Sequence, residues 1–389
     1  MTSNNSQIPQ RILMGPGPSN VHPRVLEAMS HSMIGHLDPI FLEIMDENMK
    51  LLRQVFGTKN RLTLPISATG SAGMEATLCN LIEPDDDVLV CVNGVFGMRM
   101  SDIVDRYGGN LHTVDAPWGR IIDPQDVADK LKDIVKPKLI AIVHVETSTG
   151  ILQPLVEIAE LAKAHDALLV VDCVTSLCGT PVNLDELGID AAYSGTQKCM
   201  SCPPGLSPVS FSKRAINAIH NRSTKVTSWY LDMGMISKYW GDDRVYHHTA
   251  PISMNYALNE SLKIVCEEGL DTRYRRHSLH SQALADGLSA LGIERIAQEG
   301  FRAPMLTSVS VPDDVDEAKV RNQLLHTYNI EIGAGLGTLK GKAWRIGLMG
   351  ETCRRENVIG LLTALGEILP ERSAAEAVQT AENVYNTSK

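Results

Sequence analysis

A chain of 389 residues is long enough for two domains of ordinary size, each with its own core. Hydrophobic residues at 43% and charged residues at 21% place it among ordinary globular proteins. The net charge of -10 argues against a nucleic-acid partner, which needs a basic face, and no apolar run reaches the ~18–20 residues of a membrane span.

The N-terminal ten residues are polar, with neither an apolar signal core nor an Arg-rich amphipathic pattern. The last four, Asn386-Thr387-Ser388-Lys389, are not a peroxisomal address of the Ser-Lys-Leu type. Eight cysteines without a disulfide framework fit a reducing compartment, so a cytoplasmic location is expected.

From the N-terminus, a short apolar stretch at 62–66 leads into Thr69-Gly70-Ser71-Ala72-Gly73. Beyond it Met74, Leu78, Leu81 and Ile82 share one helical face. Buried strands are predicted at 87–92, 110–114, 139–145, 167–171, 191–194 and 208–211. Helical patterns at 97–107, 123–134 and 155–165 lie between them. Apolar strands alternating with helices imply an α/β fold with a mainly parallel sheet covered on both faces.

Helices at 253–268 and 272–291 lead away from that unit. Strands at 304–311, 330–332 and 343–348, with helices at 316–328 and 355–369, then form a smaller α+β module. The expected division is an N-terminal arm at 1–14, a large domain at 15–268 and a small C-terminal domain at 269–389. The residues from about 373 read as a polar, mobile tail with one short helix. The stretch Gly333-Ala334-Gly335-Leu336-Gly337 does not join a first strand to its helix, so it reads as a loop.

Chemistry concentrates at two strand ends. The run 167–171 ends in Asp172, and 26 positions later Ser194-Gly195-Thr196-Gln197-Lys198 follows another apolar run. Ligands of open α/β sheets sit at the carboxyl ends of the strands. A carboxylate there could keep a pyridine nitrogen protonated, and a partly desolvated lysine could hold an aldehyde as a Schiff base. The pair therefore suggests a pyridoxal 5'-phosphate site. Each residue has a plainer reading: Asp172 as a helix cap or turn residue, Lys198 as a surface lysine.

Thr69, Gly70 and Ser71 precede a helix, where free N–H groups can cradle a phosphate or simply be capped. Arg345, flanked by apolar residues in Ala343-Trp344-Arg345-Ile346-Gly347, suits a substrate carboxylate or a structural ion pair. Tyr246-His247-His248-Thr249 gathers hydroxyl and imidazole groups and could equally be turn chemistry. Adjacent histidines on a strand point opposite ways and do not readily share a metal. Cys199 and Cys202 have no second ligand pair at zinc spacing and read as small apolar residues, so no metal is expected.

Together these motifs resemble the class V aminotransferases of pyridoxal phosphate fold type I, and within them the alanine–glyoxylate / serine–pyruvate aminotransferase group. The likeness runs from Met14-Gly15-Pro16-Gly17-Pro18-Ser19-Asn20 to Gly347-Leu348-Met349-Gly350, nearly the whole chain. It implies a large domain with a sheet of the seven-stranded type and a smaller C-terminal α+β domain. It implies that Lys198 is the Schiff-base lysine and proton shuttle, and that Asp172 partners the pyridine nitrogen. Thr69, Gly70, Ser71 and Gln197 would form the phosphate cup. Tyr246 and Thr249 would complete that cup from a second subunit, which requires a homodimer with shared active sites. Phe96 would stack on the cofactor ring, Thr147 would lie near its phenolic oxygen, and Arg345 would bind the carboxylate of amino acid and 2-oxo acid alike.

Many eukaryotic members carry Trp at the position of Phe96 and Ser at that of Thr147, replacements that conserve stacking and hydrogen bonding. The implied activity is ping-pong transfer of an amino group from alanine or serine to glyoxylate. Pyruvate or hydroxypyruvate and glycine would be the products. Alternatives are a pyridoxamine–pyruvate aminotransferase, which needs no phosphate cup, another donor, or a cysteine desulfurase, for which Cys353 is the nearest candidate nucleophile. A non-catalytic regulator with a nucleic-acid module fits poorly, since the acidic chain has no basic segment for it.

Overall fold

The computed structural model describes residues 8–369 and 371–387. Its centre is a seven-stranded sheet of β1 (Leu62–Ile66), β2 (Asp87–Val92), β3 (Asn110–Asp115), β4 (Pro137–Val143), β5 (Leu168–Asp172), β6 (Ala191–Tyr193) and β7 (Ser207–Phe211). The spatial order is β1-β7-β6-β5-β4-β2-β3. β7 is antiparallel to both of its neighbours, and the remaining pairings are parallel. The five central strands are apolar almost throughout because helices cover both faces.

Alternation divides their side chains between two cores. Leu89, Cys91, Ile140, Ile142, Leu169 and Val171 enter one. Val88, Val90, Leu139, Ala141, Leu168, Val170, Ala191 and Tyr193 enter the other. Asp172 keeps the parity of Leu168 and Val170, so it stands at a strand end on the face that also holds Tyr193. The parallel register pairs Asp172 with Tyr193.

Three helices pack on the sheet. α1 (Pro39–Phe56) starts at Asp38, whose carboxylate accepts the Ile40 N–H at 2.9 Å, and stops at Gly57 with φ 62°. The sequence reading did not place this helix, although Asp38-Pro39 before Phe41, Met45 and Leu52 is a start signal followed by an apolar stripe. α2 (Gly70–Leu81) and α3 (Val95–Arg106) both begin beside carboxyl ends of the sheet.

A third core gathers Leu284, Leu288, Trp344, Ile346, Leu361, Leu362 and Leu365. Around it lie β8 (Leu306–Ser310), β9 (Gly333–Ala334) and β10 (Ala343–Gly347), antiparallel in the order β8-β10-β9. The glycine-rich stretch read as a loop thus supplies an edge strand with its first two residues. Nor is the tail loose: a helix at Ala374–Thr387 buries Ala377, Ala381 and Tyr385 against this core. The helices Ile252–Glu268 and Leu270–Ala290 meet at Gly269, whose φ of 79° lets the chain turn between them.

The arm joins the parts. Ile12 and Leu13 pair in parallel with Ile330 and Glu331, and Met14 is fully buried in the third core. Of the arm expected at 1–14, residues 1–7 lie outside the described residues. The Gly347 N–H donates to the Met14 carbonyl at 2.7 Å, and any side chain on Gly347 would overlap the Gly15 carbonyl. Backbone cannot swing aside as a side chain can. Gly347→Ala should therefore destabilise the protein by about 2 kcal/mol through overpacking, read as a lower urea midpoint. An unchanged midpoint would show that this crossing has slack.

Candidate functional site

Lys198 follows β6 in a turn, yet it is only 8% exposed. The segment just after the arm covers it: Nζ donates to the Pro16 carbonyl. Gly17, at φ 102°, has no side chain because a Cβ there would lie 2.6 Å from the lysine Cδ and 2.9 Å from Nζ. Ser19 pins the same turn from below. Its N–H donates to the Gln197 carbonyl at 2.9 Å and its hydroxyl to the Lys198 carbonyl at 2.8 Å. Burial, reinforced by the charge of Arg345, pushes the Lys198 amine down to about 8. A substantial neutral fraction at physiological pH makes it a nucleophile.

Asp172 is 2% exposed. One carboxylate oxygen accepts the Val174 N–H at 2.8 Å, the other the Tyr193 hydroxyl at 2.9 Å. Burial pushes this carboxyl up to about 7, and the nearby Glu146 charge adds to the rise. A cationic heteroatom placed against it would reverse that cost and hold it ionised.

The phosphate-cup candidates also converge. Thr69 caps α2 by position but makes no side-chain capping bond, so its exposed hydroxyl stays available. Gly70 lies against the turn after β6: a Cβ there would stand 3.4 Å from Gly195 Cα and 3.6 Å from the Ser194 carbonyl oxygen. The Gln197 amide folds back over Gly195, and its Oε1 is buried without a hydrogen-bond partner. Unsatisfied N–H groups at the start of α2, a free hydroxyl and an orphaned amide fit a phosphate.

On the opposite side Phe96 opens α3, and its N–H donates to Glu146 at 3.1 Å. Glu146 also accepts the Ser148 N–H at 3.0 Å and the Ser148 hydroxyl at 2.6 Å. Fully buried, its carboxyl is pushed up from its ordinary range by desolvation. Gly94 must lack a side chain because a Cβ would run into Glu146. Thr147 shares a 2.6 Å hydroxyl contact with Thr175, and its carbonyl accepts from Arg345 at 3.2 Å. Arg345 is 8% exposed and also donates to the Ala334 carbonyl at 2.7 Å. No carboxylate pairs with it among the described residues, which leaves part of its fork free. Burial pushes its guanidinium down to about 10, still cationic at neutral pH.

Pairwise contacts therefore bring the candidates into one neighbourhood at the carboxyl ends of the strands: the charges of Asp172 and Arg345 are felt at Lys198, Arg345 bonds Thr147, and Gly70 lies against the turn that carries Gln197. Tyr246 and Thr249 stand apart from it. They share a 3.4 Å hydroxyl contact, Tyr246 is 57% exposed, and neither bonds a crevice residue of its own chain. Cys199 and Cys202 are unpaired and fully buried, as small apolar residues would be.

Tyr193 and Glu146 escaped the sequence reading. The register of β5 with β6 places Tyr193 and has no local signature. Glu146 carries a signal, a lone carboxylate closing an apolar run just before the hydroxyls of Thr147, Ser148 and Thr149.

A parallel sheet with a lysine, a buried carboxylate and a helix N-terminus at its carboxyl edge defines an enzyme of pyridoxal phosphate fold type I. The chain belongs to the class V aminotransferases, whose family description matches residues 12–355. It is 42% identical to the (S)-ureidoglycine–glyoxylate transaminase of Bacillus subtilis (strain 168), over 98% of this chain and 96% of that one. The crystal structure of the alanine–glyoxylate aminotransferase from Nostoc sp. superimposes with a TM-score of 0.92 at 47% identity, covering 94% of this chain and 97% of that one. The pyridoxamine–pyruvate aminotransferase from Mesorhizobium loti gives a TM-score of 0.93 at 28% identity, with 97% of each chain covered. The protein is thus an aminotransferase of the alanine–glyoxylate group, and its cofactor is pyridoxal 5'-phosphate.

The raised Asp172 carboxyl sets a pH signature in the cofactor-free protein. The folded state keeps a proton that the unfolded chain loses above its ordinary 3.8. Stability from this group is full at lower pH and is lost as pH rises to about 7. Asp172→Asn removes that loss. Between pH 5 and 8 the variant should gain about 2 kcal/mol on wild type in urea titrations, while its affinity for the cofactor falls. Parallel pH profiles would contradict the burial of an ionising carboxylate.

Proposed function

We propose that this enzyme moves an amino group from a small uncharged L-amino acid, alanine or serine, to glyoxylate in a ping-pong cycle. The observation that carries the reading is Arg345: a buried guanidinium, free of carboxylate partners, whose charge is felt at Lys198. It offers a substrate carboxylate an anchor beside the reacting amine. Both an amino acid and a 2-oxo acid carry that carboxylate, so one fork serves both half-reactions.

Lys198 would hold the cofactor's aldehyde carbon, Asp172 its ring nitrogen, Phe96 its ring face and Thr147 its phenolic oxygen. Thr69, Gly70, Ser71 and Gln197 would hold its phosphate. When bound, the cofactor supplies an electron sink for the bond broken at the substrate Cα. Lys198 Nζ would be the base that takes the substrate Cα proton and, once protonated, the acid that gives it up again at the far end of the 1,3-shift. Its lowered pKa lets it act in both directions near neutrality. Asp172 would be held ionised by a cationic ring nitrogen, and the bond from the Tyr193 hydroxyl fixes the orientation of its carboxylate.

The names of the Bacillus and Nostoc relatives share glyoxylate as acceptor and differ in donor. A dicarboxylic donor would want a second arginine, for which Arg99 and Arg244 are the candidates; Arg244 is engaged by Asp46 and the Trp240 carbonyl, and Arg99 reaches the Ser71 hydroxyl rather than the surroundings of Arg345. Retention of every cup residue argues against free pyridoxamine as substrate. Cys353, fully buried with its thiol pushed up to about 12, is unsuited to the nucleophilic role of a desulfurase.

Tyr246 and Thr249 fit a role in the cup of a second copy, and exposed Trp229, Val245, Tyr246 and Ile40 supply the apolar surface a homodimer would cover. The domain division at Gly269 and a cytoplasmic location belong to the same proposal, the latter supported by eight unpaired cysteines.

The test is spectroscopic. L-Alanine should bleach the yellow protein, and glyoxylate should restore the colour. Protein unmoved by alanine or serine would overturn the donor assignment. Arg345→Gln should raise KM for alanine and glyoxylate together, by about a hundredfold each, as loss of a charged anchor of about 3 kcal/mol requires. A rise confined to one substrate would contradict a shared anchor.

A further inference from the structure

Arg99 stands where helix electrostatics disfavour a cation. It lies near the start of α3, the end at which free N–H groups concentrate positive charge. Its guanidinium sits 4.9 Å over the Phe96 ring, and Nη1 reaches the Ser71 hydroxyl at 3.4 Å. Ser71 belongs to the first turn of α2, so a second helix N-terminus faces the same point. The Glu146 carboxyl group at the start of α3 is engaged by the Phe96 N–H and by Ser148. The acidic Asp102 of α3 is taken by Arg106, and no carboxylate pairs with Arg99 among the described residues. The remaining cup residues, Thr69, Gly70, Ser71 and Gln197, are neutral, whereas a phosphate monoester carries close to two negative charges at neutral pH.

We propose that Arg99 is the charged contact of the cofactor's phosphate, joining the ring-stacking residue to the cup. This rests on the assignment of the cup given above. A substrate carboxylate is the other anion that could meet Arg99. However, Arg99 contacts Ser71, at the cup, whereas Arg345 contacts Thr147 and Ala334 across the crevice. The two cations therefore serve different ends.

The experiment compares binding of pyridoxal 5'-phosphate and of pyridoxal, which has the ring but no phosphate, to cofactor-free protein at low and at physiological ionic strength. Arg99→Gln should weaken pyridoxal phosphate tenfold to a hundredfold, in round terms about one charge-assisted contact, and leave pyridoxal within about twofold. It should also flatten the salt dependence of pyridoxal phosphate binding, and Arg99→Lys should recover part of the loss. Equal weakening of both ligands would overturn the proposal, assigning Arg99 to the Phe96 ring or to folding. Unchanged cofactor affinity with a raised KM for alanine or glyoxylate would overturn it in favour of the substrate carboxylate. Wild-type protein that binds pyridoxal but not its phosphate ester would fail the cup assignment itself, before any variant is compared.

Discussion

Everything in the crevice depends on one covered amine. Lys198 is covered by the segment that follows the arm: its amine bonds the Pro16 carbonyl, and Gly17 crosses it so closely that it can carry no side chain. Desolvation lowers the amine toward neutrality and so makes it reactive. The same crossing ties the site to the third core, because Met14 is buried there and bonded to Gly347. The lysine is thus linked through Pro16 and Met14 to the β10 strand that carries Arg345, which relates the proposed base to the proposed carboxylate anchor.

Around that amine the charges are arranged in opposition. Lys198 and Arg345 are two buried cations that disfavour each other, and Asp172 and Glu146 are two buried carboxylates that do the same. Such a crevice is costly when it stands alone, and a ligand with a cationic ring nitrogen, an anionic phosphate and a carboxylate-bearing substrate answers each cost in turn. Glu146 is the member that belongs to no expected role. It fixes the start of α3 through Phe96 and the following turn through Ser148, so the proposed ring-stacking residue is held by a hydrogen-bonded carboxyl group as well as by apolar contact.

Much of this was legible in the sequence because burial leaves plain marks. The strands of the parallel sheet are runs of Val, Ile, Leu and Ala, and their ends showed where Asp172 and the Lys198 turn must sit. The Gly-Pro-Gly-Pro run after the arm resembles a family motif without stating its use, which is the close approach to Lys198. What stayed hidden depends on contacts between distant segments. Tyr193 looked like one more apolar strand residue until register set it against Asp172. Gly333 and Ala334 looked like loop because glycine has no strand preference of its own, and only β10 makes them an edge. The tail looked mobile because its buried residues, Ala377, Ala381 and Tyr385, are sparse among polar ones. Tyr246 and Thr249 remain exposed in a single chain, as residues destined for another copy's site would be.

The most direct test of the account is to reduce the pyridoxal phosphate-loaded protein with borohydride and locate the fixed cofactor by peptide mass spectrometry. The account predicts a single modified peptide, with the added mass on Lys198 and no label in the Lys198→Ala variant. Label on another lysine, or unchanged labelling of the variant, would contradict it.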